Sequence, residues 1–230
     1  MPELFAAGSI DADARLVLAN AIVFKGIWER KFDPSATTSQ PFHLAGGQTV
    51  QVAMMQKSDP LAAAEIPGGT LGILPFGGKD LSMVVVLPDE ADGLPAIEAQ
   101  LSGDAIAHWM SIAHPDGDRP LALPKLHLDS SADLAGALVK LGVTSAFDPL
   151  AADFSGIDGQ RDLFLKKIIH KAVIDVDEHG AEAAAATGVV IGAPSLPTPF
   201  LADRPFVFVI FDHVTSTILF MGRVTDPTHS

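Results

Sequence analysis

Short apolar runs alternate along this chain with glycine- and proline-rich breaks, and most of the runs have the length and spacing of strands. Residues 15–25, RLVLANAIVFK, are apolar at Leu16, Leu18, Ala19, Ile22, Val23 and Phe24, which predicts a strand buried on both faces. Asn20 lies inside that run. A buried asparagine must find hydrogen-bond partners, so it reads either as a pin across strands or as a switch contact. Gly26-Ile27-Trp28 closes the strand. Residues 42–55 carry a hairpin signal at Gly46-Gly47, followed by alternation through Thr49-Val50-Gln51-Val52. Residues 69–76 and 81–87 predict a second antiparallel pair about Gly77-Gly78-Lys79-Asp80. Helical spacing occurs at 94–101, at 104–112 with Trp109 as its anchor, and at 133–141, closed by Gly142. Residues 121–128 alternate as a strand, 147–159 read as a loop, and 163–177 form a long strand. The last two runs, 206–211 and 218–224, are strands around Asp212 to Thr217. The expectation is an α+β fold of mostly antiparallel sheets with a few helices, in one domain over 1–230 without internal repeats.

Between the long strand and the closing pair lies EHGAEAAAATGVVIGAPSL, Glu178 to Leu196. Ala183 to Ala186 are small and apolar where an exposed loop usually carries turn residues. Val189, Val190 and Ile191 are β-branched, and Pro194, Pro197 and Pro199 hold the backbone extended. The segment reads as a tethered strand without a sheet. On composition alone, an inter-strand loop with an alanine-rich helical turn fits better.

With 230 residues, 48% of them hydrophobic, the chain can build a substantial core, and no apolar run is long enough to span a bilayer. Met1-Pro2-Glu3 lacks the basic start and apolar stretch of a secretion leader. A net charge of −13 argues against nucleic acid as a partner, because there are too few cations to displace phosphate counterions. The absence of cysteine removes disulfides, thiol nucleophiles and thiolate metal sites. Catalytic motifs are equally thin. There is no Gly-x-Ser-x-Gly elbow or His-Glu-x-x-His helix, and Ser155 in FSGIDG has no patterned base. Gly72 with Gly77-Gly78-Lys79-Asp80 imitates a phosphate loop but displaces the lysine, so a hairpin turn explains these glycines better. Asp175, Asp177, Glu178 and His179 could gather a cation, though a solvated strand end is the better reading. No metal or cofactor is expected, and the chain does not read as an enzyme.

Several motifs, taken in order, resemble the serpins. LVLANAIVFKGIWERKF (Leu16 to Phe32) is similar to the family's central sheet strand and the tryptophan at its upper end. Pro124-Lys125, Leu141-Gly142 with Phe147, Phe154-Ser155-Gly156 and His170-Lys171-Ala172 resemble its later signatures. EHGAEAAAAT is similar to the reactive-loop hinge, and RPFVFVI with LFMGRVTDP to the closing strands. The resemblance covers essentially the whole chain.

It implies a serine protease inhibitor that offers its loop, Ala181 to Leu196, as bait to a Ser-His-Asp enzyme and inserts the cleaved loop into its main sheet before the acyl-enzyme is released. The hinge would comprise Glu178, Gly180, Ala181, Glu182, Ala183, Ala184, Ala185, Ala186 and Thr187. Small side chains enter a crowded sheet at little steric cost, and Gly180 lets the backbone reorient. Asn20, His170 and Trp28 would form the switch that keeps the sheet closed; for His170 a satisfied core histidine is the structural alternative. Family spacing puts the cleaved bond at Pro194–Ser195. Proline resists most acylating enzymes, and Ala193–Pro194 is resisted too, which leaves Ser195–Leu196 or a bond near Ile191 or Ala193 as alternatives. The small, apolar neighbourhood suits an elastase- or subtilisin-like protease. Resemblance also implies an extracellular protein, although a cytoplasmic one is equally compatible with these residues. Full-length serpins begin well upstream, so outer strands and covering helices are expected to be missing, and bare sheet edges would invite self-association. A non-inhibitory binding module is the competing reading.

Overall fold

The computed structural model describes Ile10, residues 14–178 and residues 198–229. They fall into two units, drawn from Met1–Phe24 with His127–Asp175 and from Lys25–Leu126 with Val176–Ser230.

The first unit is built on a three-stranded sheet in which β8 (Leu165–Val176) lies between β1 (Leu16–Phe24) and β7 (Leu126–Asp133). β1 and β8 run parallel, with Asn20 opposite His170 and Phe24 opposite Ile174. Helix α3 (Ala135–Lys140) is tied to this sheet at its start. The Leu134 N–H donates to the Ile168 carbonyl at 2.8 Å, and the Asp133 carboxylate accepts from the Ala135 N–H at 3.1 Å. Gly142, at φ +97°, ends the helix in the left-handed conformation that an L side chain avoids. The expected burial of β1 on both faces is not found. Leu18 is 54% and Val23 47% exposed, and Asn20 is exposed as well. Among the described residues β1 has one strand neighbour, β8, so an apolar sequence alone did not secure burial for its middle.

The second unit contains an eight-stranded sheet organised by β3 (Thr49–Ile66), an 18-residue strand that changes partners along its length. It pairs first with β2 (Thr38–His43), then with β6 (His114–Pro124), and at its end with β4 (Gly69–Pro75), each time antiparallel. β5 (Leu81–Pro88), β10 (Phe206–Asp212) and β11 (Thr217–Val224) continue the sheet beyond β4, while β9 (Phe200–Leu201) adds in parallel to β6. Helix α1 (Leu94–Glu98) and helix α2 (Gly103–Ile112), whose Ser102 side chain caps the Ala105 N–H at 3.0 Å, pack on it. Ile97, Ile106 and Trp109 from the helices bury against Leu71, Val84 and Val209, each contributing about 1.5–3 kcal/mol of apolar burial.

Both predicted hairpins form, at Gly46-Gly47 (φ +81° and +84°) and at the turn before β5, where Gly78 and Lys79 have positive φ. Residues 121–128 are not one strand. The run divides at Lys125 into the end of β6 and the start of β7, and β6 reaches back through Pro120 and Pro115 to His114. Residues 147–159, expected as loop, contain the single turn α4 (Ser155–Asp158).

Candidate functional site

Asp177 and Glu178, which follow β8 immediately before the alanine-rich segment, are held within the second unit. Asp33 starts the arrangement. Its carboxylate accepts from the Ser35 N–H at 2.8 Å and caps a 3-10 turn, Pro34–Ala36, whose proline is pre-set for that geometry. The turn delivers Thr37, whose hydroxyl donates to Glu178 Oε1 at 2.7 Å. On the other carboxylate oxygen, Lys125 Nζ donates to Oε2 at 2.8 Å. The Lys125 N–H donates to the Ala53 carbonyl at 2.9 Å, which fixes the base of that side chain to β3. The main chain is held too: the Phe32 N–H donates to the Glu178 carbonyl at 3.2 Å, and the Trp28 indole N–H donates to the Asp177 carbonyl at 2.8 Å.

Trp28 is buried and held by aromatic neighbours. It stacks on Phe76 at 4.7 Å between centroids and meets Phe32 edge to face at 5.9 Å. The Glu29 N–H donates to the Pro75 carbonyl at 3.0 Å, docking this stretch on the end of β4. The Glu178 side chain is 6% exposed. Burial alone raises its pKa, but the hydrogen bonds from Lys125 and Thr37 together outweigh it, and the carboxyl sits below its ordinary 4.5. The group is therefore a buried carboxylate satisfied on both oxygens, dependent on partners 141 and 53 residues away in sequence.

Thr198, Pro199 and β9 resume the chain beyond the alanine-rich segment. β9 pairs with Leu121 and Ala122 of β6, and the Ala202 N–H donates to the Ala122 carbonyl at 2.9 Å. The described chain on both sides of the segment is thus anchored on β6 or its immediate continuation, at Ala122 and at Lys125.

Of the residues singled out in the sequence, Trp28 and Glu178 lie together in this clamp. Asn20 and His170 are brought opposite each other in the β1–β8 ladder of the first unit, where His170 is half-buried. Gly180, Ala181, Glu182, Ala183, Ala184, Ala185, Ala186, Thr187, Pro194 and Ser195 lie outside the described residues. Ser155 bonds Asp153 through its hydroxyl at 2.6 Å and its N–H at 3.2 Å, a local turn closure rather than an activated nucleophile. Lys79 pairs with Glu29 at 3.1 Å from its hairpin turn, and Asp175 pairs with His127. Among the described residues no group of three or more His, Asp or Glu could hold a metal ion. Thr37, Phe32 and Phe76 escaped sequence reasoning. The Asp33-Pro34 turn signal was the only hint of the first, and nothing local marks the aromatic pair.

The serpin family model, described as serine protease inhibitor, matches residues 1–227. The chain belongs to the serpin family. Among serpins of known name, it is 42% identical over 236 residues to a bovine leukocyte elastase inhibitor, covering 99% of this chain and 62% of that one. A serine protease inhibitor of Cyanea capillata is 36% identical over 229 residues, covering 98% and 60%. Two solved serpins have the same fold. Uncleaved ovalbumin superposes with a TM-score of 0.86 at 28% identity, covering 97% of this chain and 57% of ovalbumin. Native protease nexin-1, solved with heparin, gives 0.85 at 33% identity, covering 99% and 60%. The chain therefore spans about three-fifths of the length of the serpins it matches, and the α+β architecture is theirs.

Proposed function

We propose that this serpin acts as one-use bait for a serine protease of elastase- or subtilisin-like preference, with Ala181 to Leu196 as the reactive loop. The observation that carries the reading is the pair of anchors at Ala122 of β6 and at Lys125 just beyond it. The 19 residues 179–197 have a contour of about 60–70 Å, whereas Ala122 and Lys125 are about 10 Å apart along a strand. A bait needs such slack to enter a protease cleft while both its ends stay held. The upstream anchor is also of a kind that can be released, since it consists of hydrogen bonds to one carboxylate and two main-chain carbonyls. In the same reading, β1 and β8 are the strands that part to admit the loop, and Asn20 and His170, level with each other in that ladder, belong to the switch with Trp28. Cleavage falls at Pro194–Ser195, with Ser195–Leu196 or a bond near Ile191 or Ala193 as the alternatives. An extracellular site of action belongs to this reading as what the family resemblance implies.

Incubation with pancreatic elastase and with subtilisin, followed by denaturing gels and mass spectrometry of the released peptide, tests it. A protease-linked band that survives denaturation is the expected outcome, and the peptide names the bond. Ala183→Arg should abolish the band and leave clean cleavage, because a guanidinium cannot enter the sheet cheaply. Retention of the covalent complex in that variant would overturn loop insertion as the trapping step. Cleavage without any complex in the parent chain would favour the second reading, a binding module, which the exposed middle of β1 supports. Self-association through that strand belongs with this second reading.

A further inference from the structure

Beside the clamp, the turn around Trp28 and strands β3, β4 and β6 enclose a cleft of about 270 Å³. Pro60, Leu61 and Ala62, where the β3–β6 register breaks, line it together with Pro115. Its floor is apolar, made by Leu61, Leu74 and Leu121, all buried. Its rim is charged. The Asp59 carboxylate is shared by two cations, Arg30 at 2.7 Å and Lys57 at 3.0 Å, while Lys79 pairs with Glu29 at 3.1 Å. Three cations against two carboxylates give the rim a net positive charge within a chain of −13. Lys57 is the inner member. Its side chain is 15% exposed, its ammonium donates to the Arg30 carbonyl at 2.5 Å, and it lies 4.5 Å from the centre of the Phe32 ring. Burial holds its pKa below the ordinary lysine value even with Asp59 beside it, so a further anion nearby would favour its charged form. Arg30 and Lys79 are mostly exposed, each held by one ion pair at the rim.

We propose that this cleft binds a small amphipathic monocarboxylate, whose carboxylate is received by Arg30 and Lys57 and whose aliphatic or aromatic body lies on Leu61, Leu74 and Leu121. Arg30 meets Asp59 through one of its nitrogens and guanidinium is the group suited to a planar bidentate anion, while Lys57, already donating to the Arg30 carbonyl and Asp59, adds positive charge and one further donor. A neutral ligand would use the floor alone, and an organic cation would meet the wrong sign. The volume sets the size. At a little under the roughly 300–1,000 Å³ of drug-sized pockets, the cleft suits a small ligand such as octanoate or a phenyl-substituted short acid.

Titration of the purified chain with octanoate, followed by calorimetry and by amide and methyl NMR shifts, tests the site, with octanol and octylamine as neutral and cationic counterparts. Octanoate is expected to bind about tenfold or more tightly than octanol, since a charge-assisted hydrogen bond separates them, and octylamine should not bind. Shifts should concentrate at Trp28, Leu61, Leu74 and Leu121. Arg30→Gln, at an exposed position that should leave folding intact, is expected to weaken octanoate by about five- to tenfold without changing octanol binding. Lys57→Met should weaken it further, and Lys79→Gln only slightly. Octanol binding as tightly as octanoate would overturn anion recognition. Octanoate shifts centred on β1, or no shift at saturating octanoate, would overturn the site itself.

Discussion

A carboxylate with 6% of its side chain exposed keeps its charge only if the surroundings replace water, and Glu178 has Lys125 and Thr37 for that purpose. The sign of its pH dependence follows. Its folded pKa lies below the ordinary 4.5, so the stabilisation is fully present above about pH 4.5 and is lost as pH falls through the folded value. Denaturant midpoints measured across that window should fall more steeply in the parent than in Glu178→Gln, which has no charge to lose. Equal slopes in the two proteins would show that the clamp carries no titratable stability. The partners are unequal. Lys125→Met leaves a buried anion with only Thr37, whereas Glu178→Gln removes the charge itself, so the lysine variant should be the less stable of the two. Because the lysine side chain is itself 42% exposed, the loss should be about 1–3 kcal/mol rather than the larger cost of a wholly buried pair. If Glu178→Gln proves the more damaging, hydrogen-bond geometry rather than charge governs the clamp. Little of this was legible locally. Glu178 stood out through the hinge resemblance and as one of an acidic cluster at a strand end, but neither pointed to a buried carboxylate, and Thr37 lies 141 residues away.

Among the elements, β9 is only two residues long, yet it anchors the downstream end of the loop segment through the buried Phe200. Gly72 on β4 makes room for that ring. A Cβ added there would lie 2.9 Å from Phe200 Cζ and 3.2 Å from Leu61 Cδ2, closer than packed atoms tolerate. Gly72→Ala should therefore cost about 1–3 kcal/mol and push Phe200 off β6. Hydrogen exchange at Ala202, whose N–H bonds to Ala122, should quicken beyond the global change in stability. Unchanged relative protection there would mean that Leu61 yields instead of the ring. The sequence is legible wherever pattern and packing agree. β5 and β10 sit inside the eight-stranded sheet and are buried along most of their length, as their unbroken apolar runs require. It is illegible where they part. β6 carries Pro115, Gly117 and Pro120, which read as turn residues, but the long partner β3 accommodates them through a register break. The run 121–128 alternates without interruption because alternation does not reveal the break between strands at Lys125 or the change of unit after Leu126. β1 has the composition of a central strand and the neighbours of an edge strand, and burial belongs to neighbours rather than to composition.

For the molecule as a whole, that exposed strand competes with a net charge of −13. Like-charged copies repel at low ionic strength, and the repulsion fades as the screening length drops to about 10 Å at 0.1 M salt. An apolar edge gains relative weight under the same conditions. If β1 is a pairing edge, the mass measured by light scattering should rise with salt at fixed protein concentration. Salt alone does not separate edge pairing from general loss of repulsion, but a charge-altering pair of substitutions on β1 does. Leu18→Lys with Val23→Lys brings the net charge closer to zero, which by repulsion alone should increase association at every salt concentration. The same change places cations on the strand that would pair, which by edge recognition should reduce it. The two causes thus predict opposite signs for one variant. A monomeric double variant at high salt would assign association to β1, whereas one that associates more than the parent would assign it to charge and leave the strand's exposed face to be explained by a different polypeptide partner.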